Sequence, residues 1–233
     1  MARVIIEQSP GAVAARAAEH VSAAVRDAGG PFTIGLAGGS TPTETHRLLA
    51  RADIDWSNVS LWLGDERWVP HDDPDSNAGM ARRTLAGAVG AEVVAPDTSL
   101  PTPAEAAADY ERRLQEIWVE RDGIAAPDLV MLGIGDDGHT ASLFPGTAAL
   151  GETERSYVEN WVADKGVWRL TATLPLLWSA RTLLFVVVGE AKAGVVGEII
   201  DDDVPYPAHL VSSRAADVIW VLDSAAASRL GRV

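Results

Sequence analysis

The chain has 233 residues, 47% hydrophobic and 22% charged, with a formal net charge of −14 and no cysteine. This is ordinary globular composition, long enough to bury a sizeable core, while disulfides, Cys-ligated zinc, iron–sulfur clusters and a thiol nucleophile are all excluded. The acidic balance argues against nucleic acid or an anionic membrane as partner. It leaves room for a small anion, because charge beyond about 8 Å is screened while a cation ~4 Å away contributes about 4 kcal/mol at an effective dielectric of 20.

The chain begins with a short strand-like stretch, too brief for a secretion-signal core, and no apolar run approaches the roughly 20 residues of a bilayer span. A cytoplasmic chain forming one domain over 1–233 is expected. Apolar, β-branched runs predict strands at 3–6, 32–37, 59–63, 128–134, 168–174, 182–188 and 217–222. Most are apolar without alternation, as in strands covered on both faces of a parallel sheet. Periodicity predicts helices between them. Residues 10–28 open after Ser9 with Pro10, place Val13, Ala17, Val21 and Val25 on one stripe, and stop at Gly29-Gly30. Residues 103–121 open on a capping box, Thr102 to Glu105, with Tyr110, Leu114 and Ile117 on one face. Residues 190–200 carry Val195, Val196, Ile199 and Ile200. The alternation predicts an α/β fold, a single doubly wound, mostly parallel sheet with helices on both faces. Ligands of such sheets bind outside the carboxyl ends of the strands, so the turns that follow strands carry the chemistry.

In the first such turn, Gly38-Gly39-Ser40 leads into Thr41-Pro42-Thr43-Glu44, read as a capping box with Pro42 at the first helical position. The glycines allow close approach of the backbone, and a helix start favours phosphate, although alone it reads first as an ordinary α/β turn. In the second, Asp65, Glu66 and Arg67 stand at the tip of a buried strand, where they could orient sugar hydroxyls and an anion or form a surface ion pair. Asp75-Ser76-Asn77 opens the next helix.

The third turn runs from Gly133 to Gly146. Its glycines match a dinucleotide fingerprint and, with His139 where lysine belongs, nearly a P-loop. Both are rejected, since Asp136 and Asp137 would repel a pyrophosphate and Pro145-Gly146 stops the predicted helix after little more than a turn. What survives is a histidine at the start of a short helix, beside an aspartate. Those two neighbours act on the imidazole in opposite senses, leaving the neutral ring a general base needs. The fourth region offers Arg169 in a strand and Lys192 in the first turn of a helix. There the dipole disfavours a cation unless an anion compensates; a solvated lysine is the plainer reading. Gly-x-Ser-x-Gly, His-Glu-x-x-His and a true P-loop are absent from the sequence. Activated water is then the simplest nucleophile.

Taken together, Gly38-Gly39-Ser40-Thr41-Pro42, Gly64-Asp65-Glu66-Arg67-Trp68-Val69-Pro70, Ser76-Asn77, the segment Gly133 to Gly146 and Arg169 to Pro175 resemble the 6-phosphogluconolactonase family, in the family's order. The resemblance implies a NagB/Rossmann-like α/β fold and hydrolysis of 6-phospho-D-glucono-1,5-lactone in the pentose phosphate pathway. It implies His139 as base, no metal or other cofactor, and a phosphorylated sugar lactone as the small-molecule partner; the adjacent Asp137 is expected to orient the ring and support its charged form. Carried over by position, Ser40, Thr41, Arg169 and Lys192 would hold the phosphate and Arg67 the anionic or carbonyl end. Gly38, Gly39 and Asp65 complete the binding set, in a monomer or small homo-oligomer. The related glucosamine-6-phosphate deaminase pattern places a glutamate where this chain has Phe144 and a tyrosine where it has Arg67. A non-catalytic sugar-phosphate sensor would add a basic helix-turn-helix, against the charge of −14.

Overall fold

Continuous apolar runs become strands that are buried on both faces. The computed structural model describes residues 2–121 and 123–231. In chain order these are β1 (Arg3–Glu7), α1 (Pro10–Ala28), β2 (Phe32–Leu36), α2 (Ser40–Leu49), β3 (Val59–Leu63) and β4 (Asp65–Arg67). Then α3 (Asn77–Ala81) runs through a π-helical stretch, Arg82–Ala86, into a last turn, α4 (Gly87–Val89). There follow β5 (Val93–Val94), α5 (Pro103–Ile117), β6 (Val119–Arg121), β7 (Ile124–Ala126), β8 (Leu129–Leu132), β9 (Tyr157–Val162) and β10 (Val167–Ala172). The described chain closes with α6 (Leu174–Ser179), β11 (Thr182–Val187), α7 (Ala193–Ile200), α8 (Pro207–Ser212) and β12 (Val218–Asp223).

Seven strands pair in the order β1-β12-β11-β8-β2-β3-β5, every neighbour parallel. Successive residues of one strand serve opposite cores. Val130 and Leu132 pack with α5, α6, α7 and α8, whereas Leu129 and Met131 pack with α1 and α2. The doubly wound α/β architecture read from the sequence is therefore the one observed. Helix α1 begins and ends as its sequence dictates: the Ser9 hydroxyl accepts from Ala12 N–H (3.3 Å) and Gly29 stops it at φ 61°. Helix α5 opens on Thr102 as predicted but ends at Ile117, because Trp118 turns extended and feeds the β6–β7 hairpin.

One predicted strand belongs elsewhere. Residues 167–172 do form a strand, but β10 lies in a separate antiparallel sheet, β4-β10-β9, instead of the parallel one. Its sequence carries Arg169 between apolar positions, and only a half-covered strand tolerates that. Gly64 is the crossing point: its N–H donates to Leu36 O in β2 (3.0 Å), while its carbonyl accepts from Ala172 N–H in the small sheet (2.8 Å). The buried Tyr110 hydroxyl fixes the approach, accepting from Leu63 N–H (2.8 Å) and donating to Val94 O (2.9 Å). The strand order reverses between β2 and β8, with β3 and β5 built outward on one side and β11 and β12 on the other. Such a switch point leaves a crevice beyond the carboxyl ends of its two strands. No helix among the described residues is long and apolar enough to cross a membrane.

Candidate active site

After β2, Gly39 adopts φ 103° and α2 begins immediately at Ser40, not at Pro42. The capping box is therefore not formed. Thr41 lies inside the first turn, no side chain caps the helix, and Glu44 pairs with Arg47 instead (3.2 Å). The left-handed glycine makes the whole turn in one residue. Ser40 and Thr41 then present backbone N–H groups with no intrahelical acceptor, the arrangement that binds phosphate.

After β8, no helix follows His139. Gly138 (φ 72°) and Ala141 (φ 49°) are both left-handed, which breaks any helical run. Residues 133–147 instead form a chain of turns, closed by Gly135 N–H to His139 O (2.8 Å), Gly138 N–H to Gly135 O (3.1 Å) and Leu143 N–H to Thr140 O (3.0 Å). The helix dipole invoked for the imidazole is thus not present. The carboxylate is: His139 Nδ1 lies 2.5 Å from Asp137 Oδ1, which also accepts the His139 backbone N–H at 3.2 Å. Burial alone would raise the Asp137 carboxyl, but the ring and backbone hydrogen bonds of His139 outweigh it and hold the group below its usual range. An ionised acceptor at Nδ1 assigns the proton to that nitrogen and leaves the Nε2 lone pair as the basic site. The small sheet buttresses the loop. Thr171 Oγ1 accepts from Ser142 N–H (3.1 Å), and Asn160 Nδ2 donates to Ser142 O (2.9 Å).

From the second turn, the three charged residues go separate ways. Glu66 is fully buried and faces away from the crevice, accepting from the N–H groups of Asn77, Ala78 and Arg67 (2.7 Å each) and from Ser76 Oγ (3.0 Å). Burial raises its carboxyl, against the pull of those four hydrogen bonds. It ties α3 to β4. Asp65 faces the crevice, its Oδ2 accepting from Ser142 Oγ (2.6 Å) and its Oδ1 from Asn77 Nδ2 (3.3 Å). Arg67 is anchored by donation to Asp75 O. It stands directly opposite Arg169 in the antiparallel register. Like charges so placed are unfavourable, and burial, followed by the charge of Arg67, pulls the Arg169 guanidinium below its ordinary range. Two cations forced together at the mouth of a crevice make an anion site.

Gly38, Gly39, Asp65, Arg67, His139 and Arg169 all line one cavity of about 340 Å³. Ser40, Thr41 and Lys192 line an adjoining one, which shares Gly38, Gly39, Gly133 and Ile134 with the first. The four residues expected to share one phosphate are therefore split, Arg169 on one side and Ser40, Thr41 and Lys192 on the other. Lys192 sits in a 3-10 turn that caps α7, its Nζ 2.6 Å from Asp136 Oδ1. That carboxylate supplies the compensation for which the sequence suggested a bound anion. The sequence reading left out Ser142, Phe144, Asn77 and Lys165, which also line the main cavity. The first three lie in motifs already singled out, whereas Lys165 has no local signal and arrives on the β9–β10 turn.

A sequence-family profile described as glucosamine-6-phosphate isomerases/6-phosphogluconolactonase matches residues 8–220. The chain is 40% identical over 209 residues to a 6-phosphogluconolactonase of Synechocystis sp., covering 86% of this chain and 85% of that one. The solved 6-phosphogluconolactonase of Trypanosoma cruzi superposes with TM-score 0.89 at 26% identity, covering 100% of this chain and 98% of that one. A monomeric glucosamine-6-phosphate deaminase shares the fold, with TM-score 0.83 at 21% identity over 97% and 99% of the two chains.

Proposed function

Since the chain belongs to the glucosamine-6-phosphate isomerase/6-phosphogluconolactonase family, we propose that it hydrolyses 6-phospho-D-glucono-1,5-lactone, with His139 as general base. One observation carries the reading: an imidazole whose Nδ1 is held by an ionised aspartate lines the same cavity as the facing Arg67–Arg169 pair. In this mechanism the Nε2 of His139 takes a proton from water as the water oxygen bonds to lactone C1. Asp137 supports the imidazolium that forms. The tetrahedral oxyanion is met by Arg67 or by backbone N–H groups near Gly38-Gly39. The C1–O5 bond then breaks, and the imidazolium returns its proton to the departing ring oxygen. The carboxylic acid so formed at C1 releases its proton to solvent, so the product carries a carboxylate where the lactone was, beside its original phosphate. Substrate spans the two joined cavities, its phosphate at Ser40, Thr41 and Lys192 with Arg169 reaching it from the other side. Residues 1–233 act as one cytoplasmic domain, alone or as a small homo-oligomer.

The 40%-identical relative named for this activity supports the lactonase reading over the deaminase. So does Phe144, which stands where the deaminase pattern places a glutamate. The test is turnover of freshly made lactone, corrected for spontaneous hydrolysis, by wild type and His139→Ala. The variant is expected to lose about 10²–10⁴-fold in kcat with a smaller change in KM. Wild-type turnover by that variant, or ammonia release from glucosamine 6-phosphate by the unaltered protein, overturns the reading.

A further inference from the structure

We propose that Phe144 is a positioning residue for this hydrolysis, its ring fixing the plane of the His139 imidazole so that Nε2 meets the water. The inference rests on the lactonase reading above. The side-chain hydrogen bond of His139 recorded among the described residues is the one from Nδ1 to Asp137. One such bond fixes a point on the ring and leaves the ring free to tilt about it.

Three observations supply the missing restraint. The Phe144 ring stacks on the imidazole in close contact, centroids 4.2 Å apart and planes 29° from parallel. Phe144 is itself only 7% exposed, so its ring has nowhere to swing, and the Lys165 ammonium lies 5.6 Å from its centroid. That contact ties the phenyl to the β9–β10 turn. At the imidazole's Nδ1–Cε1 edge stands Gly135, where any Cβ would overlap those two atoms and the Asp137 carboxylate. Gly135 thus owes its place in the sequence to this ring, not to a pyrophosphate. A histidine held at one edge by Asp137, crowded there by bare backbone and stacked on a phenyl has a single orientation. A base displaced by about 1 Å loses on the order of 10²-fold in rate, so the restraint should be visible in kcat.

An aliphatic side chain at 144 would still exclude water but would not define a plane. Phe144→Leu is therefore expected to lower kcat about 10- to 100-fold while KM stays within about twofold. Phe144→Tyr, which keeps the flat face, should recover wild-type kcat within about threefold. The structural readout is the ring-proton NMR signals of His139, identified by their loss in His139→Ala. The phenyl ring current should displace them in wild type and Phe144→Tyr, and the displacement should vanish in Phe144→Leu. If Phe144→Leu does not fold, Phe144→Met takes its place. Wild-type kcat in a folded variant that has lost the displacement overturns the inference. So does a rise in KM at unchanged kcat, which would make Phe144 a wall of the binding site. If His139→Ala is inactive and Phe144→Leu fully active, only the stacking inference fails. If His139→Ala is itself active, the reading beneath it fails first.

Discussion

Asp137 does two things for His139: it fixes the tautomer and it offers a negative charge to the imidazolium. Asp137→Asn keeps an oxygen for Nδ1–H but removes the charge and allows the amide to turn its NH2 inward. Loss of kcat by about 10²–10⁴-fold with little change in KM is expected, measured by initial rates on fresh lactone. Arg169 behaves differently. Its replacement by alanine should raise KM about 10- to 100-fold through loss of a charge-assisted contact. The same change relieves the facing Arg67, so the thermal midpoint should hold or rise, and a fall would mean the pair is not strained. At this scale the site is legible wherever partners are close in sequence. His139 and Asp137 are two residues apart, and both arginines stand in motifs that the sequence singles out. Lys165 is not legible because it reaches Phe144 from the separate β9–β10 turn, and the Phe144–His139 stack is not legible because it depends on the left-handed turns that fold their shared loop back on itself.

Elements were legible in proportion to how fully they are buried. Strands β2, β3, β8, β11 and β12 are apolar on both faces and declare themselves without alternation. The two- and three-residue strands β4 to β7 carry too little pattern to read. The helix expected after His139 fails for a local reason, the left-handed Gly138 and Ala141, and no hydrophobic periodicity reports that. At the opposite end of the sheet, one buried carboxylate joins several elements. Asp128 accepts from Thr33 N–H (2.9 Å), Thr33 Oγ1 (3.1 Å) and Arg121 Nε (2.8 Å), uniting β2, β6 and the entry to β8. Asp128→Ala strands these donors and should cost roughly 3 kcal/mol, read from the urea midpoint. Because the crevice is at the other end, kcat of the folded variant should not change.

Across the molecule, stability should depend on pH through a group far from the chemistry. His46 is fully buried where α2 meets the π-helical stretch, with Nδ1 3.3 Å from Thr84 Oγ1, and burial pulls it from 6.5 down to about 4. The unfolded chain therefore binds this proton more tightly than the folded one. Stability is full above pH 6.5 and is lost as pH falls from there towards 4. The interval of 6.5 − 4 = 2.5 units corresponds to about 3 kcal/mol at its limit. The difference in urea midpoint between wild type and His46→Leu should grow in that window, favouring the variant at the acid end. A difference that does not vary with pH would mean His46 ionises freely.

The register of the sheet has a further consequence, for synthesis. Arg3 pairs with Ile219 and Glu7 with Asp223, and β12 is the strand inserted between β1 and β11. As the chain leaves the ribosome, β1 has no neighbour to join until nearly all the rest has emerged. Vectorial folding can assemble β2, β3 and β8 early, but the edge it leaves at β11 stays open until β12 arrives. A nascent chain stalled before residue 218 should thus expose both β1 and the flank of β11 to protease and to chaperones, with β1 the last strand to gain protection.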